Sequence, residues 1–309
     1  MIENLTGKKI LVTGGTGFLG RYVVRELISK GLAPTVLTRE TETEVFGEGG
    51  KKIDKIKMDL LDTGAVGKYL KQFRPEIIIH LAGATYQRDV LERLNFDATA
   101  HLLEAASALG VRKFMMLGTS DEYGFQECPH RETMAAMPVS DYAVTKNKAV
   151  NRALALYKSD GLPVVILRPA TIYGIAQPSK MFIAQAVHSA VSGIPFEMSE
   201  GRQKRDALFV TDFVNAMIKT LTVEGIEGEI FNVGSGESVA LRELAAKIWK
   251  IAGADEKLLK IGARPTNAGE LHNTGADISK ISEKLDWKPK VSLDEGLEIV
   301  VERAKKDWQ

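Results

Sequence analysis

One cysteine, Cys128, is the whole thiol inventory of this 309-residue chain. No intramolecular disulfide can form, a reducing compartment is expected, and Cys128 reads as a passive loop residue. An excess of charge is also missing. The 41 basic and 40 acidic residues leave a net +1, so no bulk field recruits nucleic acid or an anionic membrane. No apolar run approaches the ~20 residues of a membrane span. Met1 to Lys9 is polar and leads straight into a strand pattern, so no signal peptide is expected. Repeats and long low-complexity tracts are absent, and nothing around His80 supplies partners for a metal, so none is expected. With 44% hydrophobic and 26% charged residues, what remains is a cytoplasmic globular protein, long enough for one large α/β domain or a domain plus a smaller cap.

The first informative stretch is Lys8-Lys9-Ile10-Leu11-Val12-Thr13 followed by Gly14-Gly15-Thr16-Gly17-Phe18-Leu19-Gly20. A β-rich run, a glycine turn and an amphipathic segment to about Lys30, with Val23, Val24, Leu27 and Ile28 on its apolar side, is the setting a dinucleotide fingerprint requires. Gly14 serves the tight turn, Gly17 lets backbone approach a pyrophosphate, and Gly20 permits close helix–strand packing. The helix start then offers free N–H groups to the phosphates. The second strand, Pro34 to Thr38, lacks the usual acid at its end; Arg39 stands there instead, where a guanidinium can pair with a 2′-phosphate. This favours NADP(H) over NAD(H), with Glu40 on the ribose as the alternative. Thr41 to Gly50 reads as a loop.

Strand patterns follow at Ile53–Leu60, Glu76–Gly83, Arg112–Leu117 and Pro163–Leu167, alternating with helical patterns, including a long one from Val90 to Leu109. That alternation predicts a Rossmann-type doubly wound parallel sheet, whose ligands lie beyond the carboxyl ends of the strands, where Gly14, Asp59, Gly83 and Thr119 fall. His80 reads as a strand-end packing residue. After Arg168 the rhythm changes to short β pieces and helices near 180–191, Thr211 and Leu241. The expected organisation is a dinucleotide-binding domain over 1–168 and a smaller, mainly substrate-binding lobe over 169–309, with some elements returning to the main sheet.

Ser140-Asp141-Tyr142-Ala143-Val144-Thr145-Lys146 opens another helical segment. Tyr142 and Lys146, four apart, share a helix face and can address one ligand. An ammonium close to a phenol favours the phenolate and lowers its pKa, so that it can exchange a proton with a sugar hydroxyl as that becomes a ketone.

These pieces together resemble the extended short-chain dehydrogenases/reductases of the nucleotide-sugar epimerase/dehydratase group. The resemblance covers essentially the whole chain: the glycine motif, Asp59-Leu60, His80-Leu81-Ala82-Gly83, Asn95, Thr119 with Tyr123-Gly124, and Tyr142-x-x-x-Lys146. It continues in Arg205-Asp206, Phe209-Val210-x-Asp212, Asn232-Val233-Gly234, Arg264-Pro265 and Ala276-Asp277-Ile278. It implies Tyr142 as proton-transfer residue and Lys146 lowering its pKa while bonding the nicotinamide ribose. Thr119 would hydrogen-bond the reacting sugar oxygen, with Ser120 sharing that task. Cofactor contacts would come from Gly14, Thr16, Gly17, Phe18, Leu19, Arg39, Asp59, Leu60, Leu81, Ala82 and Gly83. Substrate contacts would come from Thr119, Ser120 and Thr171, and from Arg205 and Arg264, whose N–H forks suit a diphosphate. Asn232 supports its local turn, and Phe209 is core.

There are departures. Thr171 stands where the family often has asparagine, and Ile175 where it often has proline. Sugar 4,6-dehydratases of this resemblance carry an acid pair directly after the threonine; here the order is Thr119-Ser120-Asp121-Glu122, which leaves Asp121 as a candidate acid or both as loop acids. The expected activity is reduction of the C4 ketone of a nucleotide-linked 4-keto-6-deoxy sugar by NAD(P)H. A 4-epimerase or a 4,6-dehydratase is the alternative. A non-catalytic cofactor sensor on the same fold is a further one, which the intact Thr119/Tyr142/Lys146 set argues against. A homodimer is expected through the helices near 90–109 and 141–159, with Ala98, Ala149 and Ala153 on their outward faces.

Overall fold

A computed structural model describes residues 2–40, 53–86, 88–267 and 269–307. The loop read at Thr41–Gly50 lies outside the described residues. The chain divides into two compact units: Met1–Glu122, Pro138–Arg168 and Val214–Phe231 form the first, and Tyr123–Met137, Pro169–Phe213 and Asn232–Gln309 the second. Pieces from both sides of residue 168 contribute to each.

The first unit is built on a parallel sheet. Its strands are β1 (Ile10–Thr13), β2 (Pro34–Thr38), β3 (Lys55–Lys57), β4 (Ile77–His80), β5 (Lys113–Leu117) and β6 (Val164–Pro169). With the strand Ile230–Val233 they run in the order 230–233, β6, β5, β4, β1, β2, β3. Their near-continuous apolar runs suit strands covered on both faces, and β1, β2, β4 and β5 are buried along their whole length. The order turns back at β1, so the sheet is doubly wound as the alternation predicts. The third strand is shorter than Ile53–Leu60. Asp59 and Asp62 end it: the Asp59 carboxylate accepts the Leu61 N–H at 3.0 Å, and Asp62 caps the helix Thr63–Phe73 by accepting the Ala65 N–H at 2.9 Å.

The pattern at 90–109 forms a π-helical stretch, Leu91–Ala98, that runs into the α-helix Thr99–Leu109. This segment packs on the helix Asp141–Asp160. Ala98, Ala149 and Ala153 do not face outward: all three are buried among Leu102, Val150 and Leu156. The reason is periodicity. Tyr142, Lys146, Ala149, Val150 and Ala153 form one i, i+4, i+7 stripe, so turning Tyr142 and Lys146 inward turns the alanines inward as well. The outer faces instead carry Lys148–Glu92 and Arg152–Glu104 ion pairs at 2.6 and 2.5 Å.

The second unit has a three-stranded sheet in which Thr171–Tyr173 pairs in parallel with Lys204–Phe209, and Ser238–Ala240 pairs antiparallel to the latter. The helices Phe182–Ser192, Leu241–Ala252 and Leu293–Asp307 enclose its core, where the Phe196 and Trp249 rings meet at a tilt with centroids 5.7 Å apart. Phe209 belongs to this core. Asp206, fully buried, organises the loops around it by accepting the Ser235 N–H and hydroxyl, both at 2.7 Å, and the Gly236 N–H at 3.1 Å. Among the described residues no helix is long and apolar enough to cross a membrane.

Candidate active site

The first unit holds both the cofactor candidates and the catalytic candidates read from the sequence. At the end of β1, Gly14 adopts φ +70°, and a Cβ there would sit 2.5 Å from the Ala82 backbone nitrogen. A Cβ on Gly20 would overlap the Gly14 carbonyl oxygen. The helix Phe18–Ser29 therefore packs directly on the turn, and Gly17 at its cap brings no side chain to cover the first N–H groups. Backbone, not side chain, lines this cradle, which fits a dinucleotide pyrophosphate. Thr16 bonds Thr38 through their hydroxyls at 3.1 Å, tying the turn to β2, and Arg39 is exposed directly beyond. Asp59 is exposed and Leu60 buried at the turn after β3, while Leu81, Ala82 and Gly83 follow β4. The cofactor candidates from Gly14 to Gly83 thus fall at the carboxyl ends of β1 to β4, while Tyr142 and Lys146, also cofactor candidates, lie on the helix Asp141–Asp160.

The catalytic candidates come from β5 and the helix Asp141–Asp160. Gly118 and Thr119 leave β5, and a 3₁₀ turn, Ser120–Tyr123, follows; Thr119 and Ser120 are both buried. Ser140 caps the helix by accepting the Ala143 N–H at 3.1 Å, which fixes the first turn and the aim of Tyr142. The Thr119 hydroxyl neighbours the Tyr142 phenol and favours its ionised form. Thr145 is held by Asn95, whose Nδ2 donates to its hydroxyl at 3.2 Å and to the Ala84 carbonyl at 2.9 Å, while its Oδ1 accepts the Ala84 N–H at 2.8 Å. Asn95 thus locks the loop after β4 to the helix bearing Tyr142.

The electrostatics depart from the expectation of a phenol pulled down by Lys146. Burial pushes the Tyr142 phenol above its ordinary value, the Asp121 carboxylate adds to this, and the neighbouring Thr119 hydroxyl opposes them. Tyr142 is therefore a neutral phenol at neutral pH. Burial brings Lys146 down to about 8 against the opposing pull of Glu122. His80, bonded through Nδ1 to Thr13 at 2.7 Å and through Nε2 to Thr99 at 2.9 Å, is held down to about 3 by burial and then by the Lys146 ammonium. It packs at the strand end as a neutral ring.

Glu122 is not a loop acid. It is fully buried: its Oε2 accepts two N–H bonds from Arg168, at 2.7 and 3.0 Å, and its Oε1 accepts the Thr119 N–H at 2.8 Å. Asp121, half-buried, raises the Tyr142 phenol more than Glu122 does. The sequence carried one signal for the buried pair, Gly118, where a Cβ would overlap Glu122 Oε1.

In the second unit, Arg205 is engaged by its own surroundings. Nη1 donates to the Lys204 and Leu271 carbonyls, both at 2.8 Å, and Nη2 pairs with Glu270 at 3.1 Å. Arg264 is exposed and lies 3.5 Å from Glu197. Thr171 is half-buried at the start of its strand. Asn232 accepts the Tyr123 hydroxyl at 2.8 Å and donates to the His130 carbonyl at 2.9 Å. Cys128 lies 3.4 Å from His130 Nε2, with its thiol pushed up by burial. Among the described residues no cluster of His, Cys, Asp and Glu is placed to hold a metal.

A glycine cradle at the head of a doubly wound sheet, with Thr, Tyr and Lys gathered beyond its fourth and fifth strands, defines a Rossmann-type enzyme of the short-chain dehydrogenase/reductase kind. Residues 10–234 match the model of the NAD dependent epimerase/dehydratase family, and the chain belongs to that family. It is 28% identical to the UDP-N-acetyl-alpha-D-glucosaminuronate decarboxylase of Bacillus cytotoxicus, over 96% of this chain and 97% of that one. The UDP-glucose 4-epimerase of Thermotoga maritima, solved with UDP-glucose, superposes with a TM-score of 0.90 at 28% identity, over 97% of this chain and 100% of that one. The UDP-glucose 4-epimerase of Thermus thermophilus, solved with NAD, gives 0.85 at 27% identity, over 96% and 98%.

Proposed function

We propose that this chain is a cytoplasmic reductase that uses NAD(P)H to convert the C4 ketone of a nucleotide-linked 4-keto-6-deoxy sugar to an alcohol. The observation that carries this reading is the placing of Tyr142 on the first turn of a helix capped by Ser140, beside the buried Thr119, where burial favours the neutral phenol. A ketone being reduced needs a proton donor at its oxygen, and a neutral phenol is in that state without prior loading. Thr119 offers a second hydroxyl to the developing alkoxide, and Lys146, charged below about 8, steadies the phenolate left after transfer. A reduced nicotinamide, when bound, supplies the hydride.

A 4,6-elimination asks more of the site, because water must leave C6 with help from an acid. Ser120 stands where the first acid of the dehydratase pair would be, and Glu122 is committed to Arg168 and Thr119. Asp121 alone remains. The 4-epimerase is the second reading, favoured by the two epimerase structures that superpose over nearly the whole chain. It would begin by oxidising C4, for which Tyr142 must first lose its proton.

NADPH is the proposed reductant, supported by Arg39 at the end of β2. Replacing Arg39 with alanine is expected to raise the KM for NADPH and leave that for NADH nearly unchanged; equal effects on both would remove the 2′-phosphate contact. Arg205 and Arg264 are the candidates for the diphosphate, Arg205 by exchanging Glu270 for phosphate oxygens, and Thr171 and Ser120 for the sugar. Asp59 and Leu60 are the candidates for the adenine side of the cofactor, Leu81 to Gly83 for its middle. A homodimer belongs to the same proposal, without the alanine faces as support; sedimentation as a monomer at micromolar concentration would contradict it.

The experiment uses reduced cofactor deuterated at the transferring position. A reductase delivers one deuterium to C4 of the product and releases oxidised cofactor. Product with C4 inverted or unchanged, no deuterium from the added pool and NAD released only on denaturation would support the epimerase instead.

A further inference from the structure

The buried ion pair beside the active site has no evident purpose in the fold alone. Replacing a buried charge pair with apolar residues of similar volume is often neutral or stabilising, so its presence is a weak reason for stability. Its position is more informative. Gly118 donates its N–H to the Leu167 carbonyl at 2.8 Å, so β5 and β6 stay in register up to the point where Thr119 and Arg168 follow. Glu122 folds back across this junction on the turn Ser120–Tyr123, into space that only a glycine at 118 leaves open.

We propose that Glu122 is a positioning residue for the reaction: one carboxylate oxygen fixes the backbone of Thr119 and the other is clamped by Arg168. The inference rests on the reading that Thr119, Tyr142 and Lys146 act on a sugar carbonyl. Thr119 needs such a support because its hydroxyl neighbours the Tyr142 phenol and accepts the Asp121 N–H at 3.3 Å, so a shift of its backbone moves the group beside the phenol. Arg168 makes the device directional. The two N–H bonds it donates to Glu122 both go to Oε2, which leaves Oε1 for the Thr119 N–H. The charged and titratable groups around Glu122 are Arg168 on β6, Lys146 and Tyr142 on the helix Asp141–Asp160, and Asp121 on its own turn; Lys146 faces Glu122 and, on β4, the neutral His80. Glu122 is thus the carboxylate that favours the charged form of Lys146.

Two variants separate the two tasks. Glu122→Gln keeps an oxygen for the Thr119 N–H and removes the charge. Glu122→Asp keeps the charge but is a methylene too short to span Thr119 and Arg168. In ligand-free protein carrying isotope-labelled lysine, with the Lys146 signal assigned by Lys146→Arg, Lys146 is expected to titrate near 8 in the wild type. In Glu122→Gln it is expected about one pH unit lower, and in Glu122→Asp close to the wild type. Exchange of the Thr119 amide is expected to be slow in the wild type and in Glu122→Gln and to accelerate in Glu122→Asp. In the reductase assay, Glu122→Asp is expected to lose about a hundredfold in kcat with the KM for NADPH unchanged.

A Lys146 titration that Glu122→Gln does not move, or Thr119 exchange that Glu122→Asp does not move, overturns the corresponding half; both unmoved would reduce Glu122 to a core ion pair. If Glu122→Gln does not fold, the wild type decides: a Thr119 amide exchanging like an open loop overturns the proposal. The spectroscopic readouts need no substrate. A wild-type chain that reduces no 4-keto sugar would defeat the functional reading and leave these results standing by themselves.

Discussion

The Thr119 hydroxyl at the end of one strand neighbours the Tyr142 phenol on the first turn of a helix that Ser140 caps, so the proton donor is placed before any ligand arrives. Pre-aimed donors lower a barrier because nothing must reorganise when charge develops. Tyr142→Phe keeps the ring and its packing but deletes the proton. Turnover is expected to fall by about 10²–10⁴-fold, with cofactor affinity, followed by fluorescence titration, essentially unchanged. Normal turnover in this variant would remove Tyr142 from the mechanism.

Lys146 predicts the alkaline limb. Burial depresses its pKa from 10.5 to about 8, so the ammonium is present below that value and lost above it. The rate of ketone reduction is expected to be level below about pH 8 and to decline above it. A profile level to pH 10 would mean that the charge on Lys146 is not required.

His80 predicts a cost in acid. Its pKa is 6.5 in the unfolded chain and about 3 in the fold, so the unfolded state binds the extra proton first. The stability this neutral ring contributes is full above 6.5 and is lost progressively as pH falls towards 3. Between pH 7 and pH 5 it is expected to account for a loss of about 2 kcal/mol. Urea unfolding of the wild type and of His80→Gln at both pH values measures it; an identical pH dependence in the two proteins would contradict the assignment.

Gly20 predicts a coupled loss. A methyl group there would overlap the Gly14 carbonyl oxygen and lie 2.6 Å from the Gly15 Cα, so the helix must move off the turn. Gly20→Ala is expected to destabilise the fold by about 1–3 kcal/mol and to weaken dinucleotide binding more than Gly67→Ala, which has open space around it. Equal binding by the two variants would show that close helix–turn packing is not what shapes the cradle.

The parts of this molecule set by local pattern were legible in the sequence: the glycine turn between β1 and its helix, the apolar runs of β4 and β5, and the spacing of Tyr142 and Lys146. The parts set by distant partners were not. Glu122 meets Arg168 from another strand, and Arg205 meets Glu270 and the Leu271 carbonyl from a late loop; neither pairing leaves a periodic trace. The inward turn of Ala149 and Ala153 was deducible, since they share a stripe with Lys146. The pKa of Tyr142 was not, because burial and Asp121, rather than the adjacent lysine, decide its direction.

The most direct test is nicotinamide absorbance during incubation with a panel of nucleotide-linked 4-keto-6-deoxy sugars, run with NADPH and with NADH. The account predicts loss of one reduced cofactor per sugar converted, faster with NADPH. No loss with any member of the panel, together with C4 inversion of a nucleotide sugar without added cofactor, would contradict it.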